Sequence, residues 1–278
     1  MLIDCHVHLD SYPDGEVAQV LERAEKVGVE MVICAGTTVE SSRRSVGLSG
    51  RFQGFYSGVG IHPMEIERPV DQKVYEQLRR LAESTDKVLV ISEIGLDFME
   101  GTPDRPLQYQ AFREQIRLAR DLGLPIVFHS READEEVLRL LREERAYEVG
   151  GVMHYFQADD ATARQAIDLG FFISLARPLL RLPHLQAVAA NLPLDSIVLE
   201  TDAAPQPFKS KRENWTEPRH LREIAEKLAE FHGATLAEVE SATTANIRTL
   251  LGDRWSVVER SSRRGGELSC NRVKRAGG

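Results

Sequence analysis

The chain begins with Leu2-Ile3-Asp4-Cys5-His6-Val7-His8-Leu9-Asp10, an apolar strand pattern that runs into a turn containing two histidines. An open, doubly wound α/β sheet normally carries a glycine-rich phosphate-binding turn after its first strand. Here that turn reads His6-Val7-His8-Leu9-Asp10 instead. The beginning of the chain therefore favours a closed barrel of parallel strands over an open sheet.

Short apolar runs of this kind alternate with amphipathic stretches along the chain, which is the pattern of successive βα units. Eight such units within about 250 residues are what a (β/α)₈ barrel requires. We therefore predict an α/β fold, a (β/α)₈ TIM barrel that forms a single domain with one extra C-terminal helix. The predicted strands are residues 2–9, 30–35, 55–61, 88–94, 125–129, 151–156, 171–175 and 197–200.

The helical patterns between these strands differ in strength. Residues 41–53, between the second and third strands, contain glycine and give the weakest one. After the eighth strand, residues 218–232 and 236–251 predict two more helices, of which the second is the extra helix closing the bottom or side of the barrel. The clearest of the earlier helices are residues 16–27, 74–83, 107–122, 135–144 and 162–169.

Composition and charge limit the class of protein. The 278 residues are 42% hydrophobic and 28% charged, which fits a soluble globular protein with a full-sized core. No targeting signal and no apolar run of membrane-spanning length is visible, and the three cysteines show no metal-type spacing. We therefore expect a cytoplasmic protein without a membrane partner. The net charge of −8 argues against a surface coated with basic residues for binding nucleic acid.

The charge is uneven at the C-terminus. Residues 253–278 carry seven Lys or Arg against three Asp or Glu, a net charge of +4, and show no periodic apolar pattern. Without them, residues 1–252 carry −12. We therefore predict that residues 1–252 form the barrel domain and that residues 253–278 form a basic, poorly ordered tail.

Six side chains that can bind metal ions stand at or just after the ends of predicted strands. In a (β/α)₈ barrel the active site lies at the C-terminal ends of the strands, so all six are expected on one face. Because strand side chains alternate, we expect two histidines of the first strand on one side and Cys5 and Val7 on the other. The set predicts a two-metal hydrolase site. Its members are His6, His8, Glu93, His129, His154 and Asp202.

Several motifs in a fixed order resemble those of the TatD family of metal-dependent deoxyribonucleases, within the amidohydrolase-type barrels. They run through residues 1 to about 252, and the C-terminal tail lies outside the resemblance. The motifs are Ile3-Asp4-Cys5-His6-Val7-His8-Leu9-Asp10, Gly60-Ile61-His62-Pro63, Ser92-Glu93-Ile94-Gly95-Leu96-Asp97, His129-Ser130-Arg131, His154-Tyr155-Phe156 and Leu199-Glu200-Thr201-Asp202.

The resemblance implies a division of the six ligands between two divalent ions. It places His6, His8 and Asp202 on one ion and His129 and His154 on a second, with Glu93 bridging them. Two ions about 3.5 to 4 Å apart can hold a hydroxide between them and stabilise the attacking and leaving oxygens of a phosphodiester. Asp202 and Glu93 are then the expected catalytic residues, with Asp202 as general base. Zinc, manganese and magnesium are all compatible with the donors.

Around these ligands, two carboxylates are expected to orient metal-bound imidazoles, namely Asp97 and Glu200. Basic and aromatic residues in the loops on the same face are the expected substrate contacts, since guanidinium groups grip phosphate and aromatic rings stack on bases. These contacts are His62, Arg131, Arg177, Lys211 and Trp215, and for His62 contact with a further metal ion also stays open. The chain departs from the family pattern after Asp202, where it reads Ala203-Ala204-Pro205-Gln206, and this departure leaves the substrate open.

Three functions remain compatible with the sequence. The first is a metal-dependent deoxyribonuclease of exonuclease type that cleaves phosphodiester bonds in single-stranded DNA or at DNA ends. The second is an amidohydrolase-like enzyme that cleaves an amide, ester, lactone or small phosphoester with the same site. The third is a barrel that binds a partner without turnover. No obligate protein partner is indicated, and the oligomeric state stays open.

Overall fold

A computed structural model describes residues 1–261 and shows eight parallel strands in one sheet, each hydrogen-bonded to the next in chain order. Helices alternate with the strands, so the predicted (β/α)₈ TIM barrel is confirmed. The strands are β1 (Leu2–Val7), β2 (Val29–Cys34), β3 (Phe55–Val59), β4 (Val88–Asp97), β5 (Ile126–Arg131), β6 (Gly151–Met153), β7 (Phe171–Leu175) and β8 (Ile197–Leu199).

The barrel closes between β1 and the segment that follows β8. The backbone N–H of Asp202 donates to the carbonyl of His6 at 3.1 Å, and the N–H of His8 donates to the carbonyl of Ala203 at 2.8 Å. The buried carboxylate of Asp4 accepts hydrogen bonds from the backbone N–H and the hydroxyl of Thr201. The closure therefore holds Asp202 beside His6, in β1, and His8, which directly follows β1.

The helices agree with the predicted patterns and add one that the sequence did not single out. Residues 41–53, the weakest pattern, contain most of helix α2, whose N-cap Thr38 forms a reciprocal capping box with Ser41. A further helix, α7, lies between β7 and β8. The extra C-terminal helix is α9. In order, the helices are α1 (Asp14–Glu25), α2 (Val39–Ser49), α3 (Gln72–Glu83), α4 (Arg105–Leu122), α5 (Asp134–Glu143), α6 (Asp160–Asp168), α7 (Pro183–Asn191), α8 (Leu221–His232) and α9 (Leu236–Leu251).

Buried apolar side chains form an inner cluster inside the barrel and an outer one between strands and helices. Cys5 packs with Ile3 in the inner cluster, whereas Val7 belongs to the outer one. The prediction that Cys5 and Val7 share one face of β1 is therefore wrong. The pairing of β1 with β2 shifts register between Asp4 and Val7, and simple alternation of side chains stops at such an irregularity.

The chain continues to pack beyond residue 252. Residues 255–261 are helical, and Trp255, Val257 and Val258 are buried against the inner cluster at the N-terminal end of the barrel. The sequence predicts a poorly ordered tail here, whereas these residues are packed. They pack because the open end of the barrel offers apolar surface for them to cover. The rest of the predicted tail, residues 262–278, lies outside the described residues. Among residues 1–261, no helix combines the length and apolar character that crossing a membrane takes.

Candidate metal centre

All six predicted ligands lie together at the C-terminal end of the barrel. His6 lies in β1, and His8 is the first residue after that strand. Glu93 lies within β4 and His129 within β5. The other two come from segments just past a strand, His154 after β6 and Asp202 after β8. Asp202 has a φ of 53°, a left-handed conformation that aspartate tolerates better than most residues.

Glu93 occupies the middle of the group and uses its two oxygens for different partners. Its Oε2 lies 3.3 Å from His6 Nε2 and 3.5 Å from His8 Nε2. Its Oε1 lies 3.1 Å from His129 Nδ1 and 3.3 Å from His154 Nε2. One carboxylate therefore connects two separate pairs of histidines.

The N-terminal histidines meet each other and Asp202. The Nε2 atoms of His6 and His8 are 3.1 Å apart, and Asp202 Oδ1 lies 3.2 Å from the nitrogen of His8. The distance from Asp202 Oδ1 to His6 Nε2 is 3.9 Å. These three side chains and Glu93 converge on one small region.

The spacing of these atoms fits divalent cations. Ligand atoms that share one ion at about 2.0 to 2.2 Å are themselves about 3.0 to 3.5 Å apart. The contacts of Glu93 with four imidazoles, at 3.1 to 3.5 Å, fall in this range. Two Nε2–H groups at 3.1 Å would repel each other, whereas a shared cation binds both nitrogens. In addition, Nδ1 of His6 is buried and has no hydrogen-bond partner among residues 1–261, so the polar contacts of this ring in the described part of the chain are made through Nε2.

Two buried carboxylates hold the rings of the second histidine pair. Asp97 Oδ2 lies 2.9 Å from His129 Nε2, and Glu200 Oε1 lies 2.9 Å from His154 Nδ1. Glu200 also accepts hydrogen bonds from the backbone N–H of Tyr155 and the hydroxyl of Ser174. The predicted orienting positions are thus occupied as expected, which leaves His129 Nδ1 and His154 Nε2 directed at Glu93.

Burial disfavours the charged forms of these side chains, and the charges of their neighbours determine in which direction each pKa shifts. Burial raises the pKa of Glu93, but the surrounding imidazoles, His62 first, hold that pKa well below its ordinary value. Burial disfavours the charged form of His8, yet the carboxylate of Asp202 raises the pKa of His8 to about 9. The pKa of Asp202 is lowered in return, against its own burial. Both carboxylates therefore stay ionised at neutral pH beside a protonated imidazole, and a divalent cation would displace such protons.

His62 lies beside the six predicted ligands, close to the metal centre. Its Nε2 lies 3.3 Å from Glu93 Oε1, and its ring centroid is 4.6 Å from that of His129. Its Nδ1 accepts a hydrogen bond from the backbone N–H of Met64, which leaves the proton on Nε2 in the neutral ring. The ligand atoms of His62, Glu93 and His129 are close enough together to hold a further metal ion, for which the proton on His62 would have to move to Nδ1 at the expense of the hydrogen bond from Met64. The signal available in the sequence was the position of His62 after β3, in line with the other strand-end ligands.

The centre opens into a cleft of about 470 Å³. Of the predicted substrate contacts, His62 and Arg131 line this cleft, and Arg131 donates to Asp97 at 2.8 Å while remaining half exposed. Lys211 is 68% exposed at a distance of 3.9 Å from Glu213. Trp215 packs instead against Tyr12, with the Arg212 guanidinium 4.4 Å from its ring, so the structure does not bring it to the cleft.

Gly95 permits a close approach of two strands between two ligands. It has a φ of 145°, and a Cβ at this position would lie 2.0 Å from the carbonyl oxygen of His129. No larger residue fits without moving the backbone of β5. The glycine two residues after Glu93 therefore sets the distance between Glu93 and His129.

Comparisons with known proteins are consistent with this geometry. The sequence model of the family described as TatD related DNase matches residues 3–252. The uncharacterized metal-dependent hydrolase YabD of Bacillus subtilis (strain 168) is 33% identical over 256 residues, which cover 90% of this chain and 98% of YabD. The Homo sapiens deoxyribonuclease TATDN3 is 33% identical over 262 residues, which cover 90% of this chain and 94% of TATDN3. Among solved structures, the TatD homolog YjjV of Escherichia coli K12 has a TM-score of 0.82 at 29% identity, covering 90% of this chain and 97% of YjjV.

Proposed function

The chain belongs to the TatD family of related DNases, a family of metal-dependent hydrolases, and we propose on this basis that it hydrolyses phosphodiester bonds in DNA. The observation that carries the proposal is the position of Glu93, whose two oxygens face separate histidine pairs. The naming of TATDN3 as a deoxyribonuclease supports DNA as the substrate. The proposed action is of exonuclease type, on single strands or DNA ends.

We propose that two divalent ions occupy this centre, divided among the side chains as the family resemblance implies. His6, His8 and Asp202 would hold one ion, and His129 and His154 would hold the other. Glu93 would bind both ions. Ions bound there supply positive charge that lowers the pKa of a water and neutralises the oxygens of a phosphodiester. Zinc and manganese suit the imidazole-rich set, and magnesium suits the carboxylates.

The chain's own groups position the reactants. Asp202 has a side chain that is 31% exposed and lines the cleft, so it can accept the proton of an attacking water as general base. Its lowered pKa keeps it ionised for that role at neutral pH. Arg131 gives one N–H to Asp97 and keeps others free in the cleft, where they can donate to a phosphate oxygen.

A substrate panel tests the proposal. The purified protein is offered end-labelled single-stranded and duplex DNA beside small phosphoesters, carboxyl esters, lactones and amides, each with zinc, manganese or magnesium. We expect cleavage of DNA, and loss of that cleavage in His129→Ala and Asp202→Ala. Turnover confined to the esters, lactones or amides would favour the amidohydrolase-like alternative, and DNA cleavage that persists in both variants would indicate a contaminating nuclease.

A further inference from the structure

The loops that follow β7 and β8 carry a second pocket, separate from the metal cleft. It has a volume of about 550 Å³, and its wall includes Arg177, Lys209 and His220. None of its lining residues also lines the metal cleft. Both pockets belong to loops at the C-terminal ends of strands, so a substrate strand lying across that face could reach both.

Two cations in this pocket lack a carboxylate partner in the described part of the chain. The guanidinium of Arg177 donates to the hydroxyl of Thr216 at 3.3 Å, and Nζ of Lys209 donates to the carbonyl of Asn214 at 3.0 Å. Within residues 1–261, no carboxylate oxygen lies within the 4.0 Å that defines an ion pair for either group. Burial, and secondly the charge of Arg177, lower the pKa of Lys209. By contrast, Arg212 on the same loop is paired with two glutamates.

The remaining polar groups of the pocket leave room for an anion. Nδ1 of His220 accepts a hydrogen bond from the backbone N–H of Glu217 at 2.9 Å, so the ring's proton sits on Nε2 and is available as a donor. Glu213 and Glu223 also line the wall. Glu213 lies 3.9 Å from Lys211, and neither glutamate is within ion-pair distance of the two unpaired cations.

An exposed aromatic residue directly precedes one of these cations in the sequence, at the edge of the pocket-lining loop. Phe208 directly precedes Lys209 and is 80% exposed, more than any other large hydrophobic residue in the described part of the chain. An exposed aromatic ring beside cations is the combination by which proteins hold single-stranded nucleic acids, with the base stacked and the phosphate gripped.

We propose that this pocket is a second nucleotide subsite, in which Arg177, Lys209 and His220 bind a phosphate remote from the scissile bond and Phe208 stacks on the attached base. The inference rests on the proposed deoxyribonuclease function and extends it to single-stranded substrates longer than the cleft alone can hold. A free phosphate ion is also an anion but carries no base, so Phe208 distinguishes the two ligands.

Kinetics on long and short substrates test the subsite. Phe208→Ala and Lys209→Gln are compared with wild type on a twelve-residue oligothymidylate and on the p-nitrophenyl ester of thymidine 5′-phosphate, which reaches only the cleft. We expect the ratio of kcat/KM on the oligonucleotide to that on the ester to fall about tenfold in each variant. The exposed Lys26 at the end of α1 gives the charge-matched control Lys26→Gln, for which the ratio stays within about twofold of wild type.

A measurement of DNA binding without hydrolysis separates the test of the subsite from the test of the proposed function. Fluorescence anisotropy of the labelled oligonucleotide is recorded in chelator, where hydrolysis is suppressed. The salt dependence of log Kd is expected to weaken by about 0.7 in Lys209→Gln, as the loss of one phosphate contact requires. Weaker binding in both variants supports the subsite even if the wild type cleaves no DNA, which would contradict the proposed function alone.

Three results would overturn the subsite. The first is unchanged oligonucleotide binding in both variants. The second is an equal loss in the control Lys26→Gln, which would indicate a general effect of surface charge rather than this pocket. The third is competition by inorganic phosphate with no effect of Phe208→Ala, which would show an anion site without a base platform.

Discussion

The metal centre is built from side chains at the ends of strands, and their contacts depend on how those strands pair. The six ligands could be placed because strand ends in a parallel barrel meet on one face, so position along the chain was enough. His62 follows β3 in the same way, but its distance of 3.3 Å from Glu93 depends on how β3 and β4 pair. Trp215 was predicted to contact substrate and instead packs on Tyr12, because loop contacts between distant residues leave no local pattern.

Glu200 orients His154 without reaching the cleft, and its replacement tests that role. In Glu200→Gln the side chain keeps its shape but loses the charge that holds the proton on His154 Nδ1. We expect metal affinity to fall about 10- to 100-fold, the usual effect of losing an outer carboxylate. Isothermal titration with zinc or manganese measures it. The exposed Glu76→Gln on α3 is the control, and equal affinities in the two variants would contradict an orienting role.

Metal binding should depend on pH through His8. Its pKa is raised to about 9 without metal, so the imidazole is protonated at neutral pH and must lose its proton to bind an ion. Apparent metal affinity should therefore rise from pH 7 to about 9 and level off above that. Titrations in buffers of different ionisation enthalpy would show proton release at pH 7. Affinity that is constant from pH 7 to 9 would contradict this coupling.

At the scale of the elements, the strands could be predicted and their registers could not. Every predicted apolar run overlaps a strand, because burial on both faces gives a parallel strand a continuous apolar pattern. The register shift in β1, which separates Cys5 from Val7, has no such signature because it depends on the partner strand. β4 also continues to Asp97, past the predicted end at residue 94, and this extension carries the orienting carboxylate.

The approach of β4 to β5 at Gly95 can be tested by adding one methyl group. In Gly95→Ala the new Cβ would meet the His129 carbonyl, so the strands must separate. We expect a loss of about 3 kcal/mol or more in the free energy of unfolding and a Tm lower by about 6 to 12 °C. Gly101→Ala is the matched control, since Gly101 also has a positive φ but open surroundings. If the two variants have the same Tm in a calorimetric scan, the close contact at Gly95 does not contribute to stability.

At the scale of the whole molecule, the fold class and the active face could be predicted, whereas the extent of the packed chain could not. Residues 253–278 are basic and lack periodicity, which favours a tail. Yet Trp255, Val257 and Val258 cover the N-terminal end of the barrel. Three buried side chains in a short helix are too few to show as a pattern, and their partners come from strands far away in the sequence.

Truncation tests whether this segment belongs to the barrel. A chain ending at residue 252 loses three buried apolar side chains and exposes the inner cluster, compared with one ending at residue 261. We expect the free energy of unfolding to fall by about 5 kcal/mol and Tm by about 10 to 20 °C. Thermal unfolding of the two chains measures the difference. Trp255→Ala in the full chain should give part of the same loss, and identical melting of all three would show that the contacts are unimportant.

The central claim is that hydrolysis depends on divalent ions held by the six-residue centre. The most direct measurement is the rate of cleavage of labelled single-stranded DNA by protein freed of metal with a chelator and then titrated with zinc, manganese or magnesium. We expect no cleavage by the metal-free protein, and recovery with at least one ion in wild type but not in Asp202→Ala. Full activity in the metal-free protein, or equal recovery in Asp202→Ala, would contradict it.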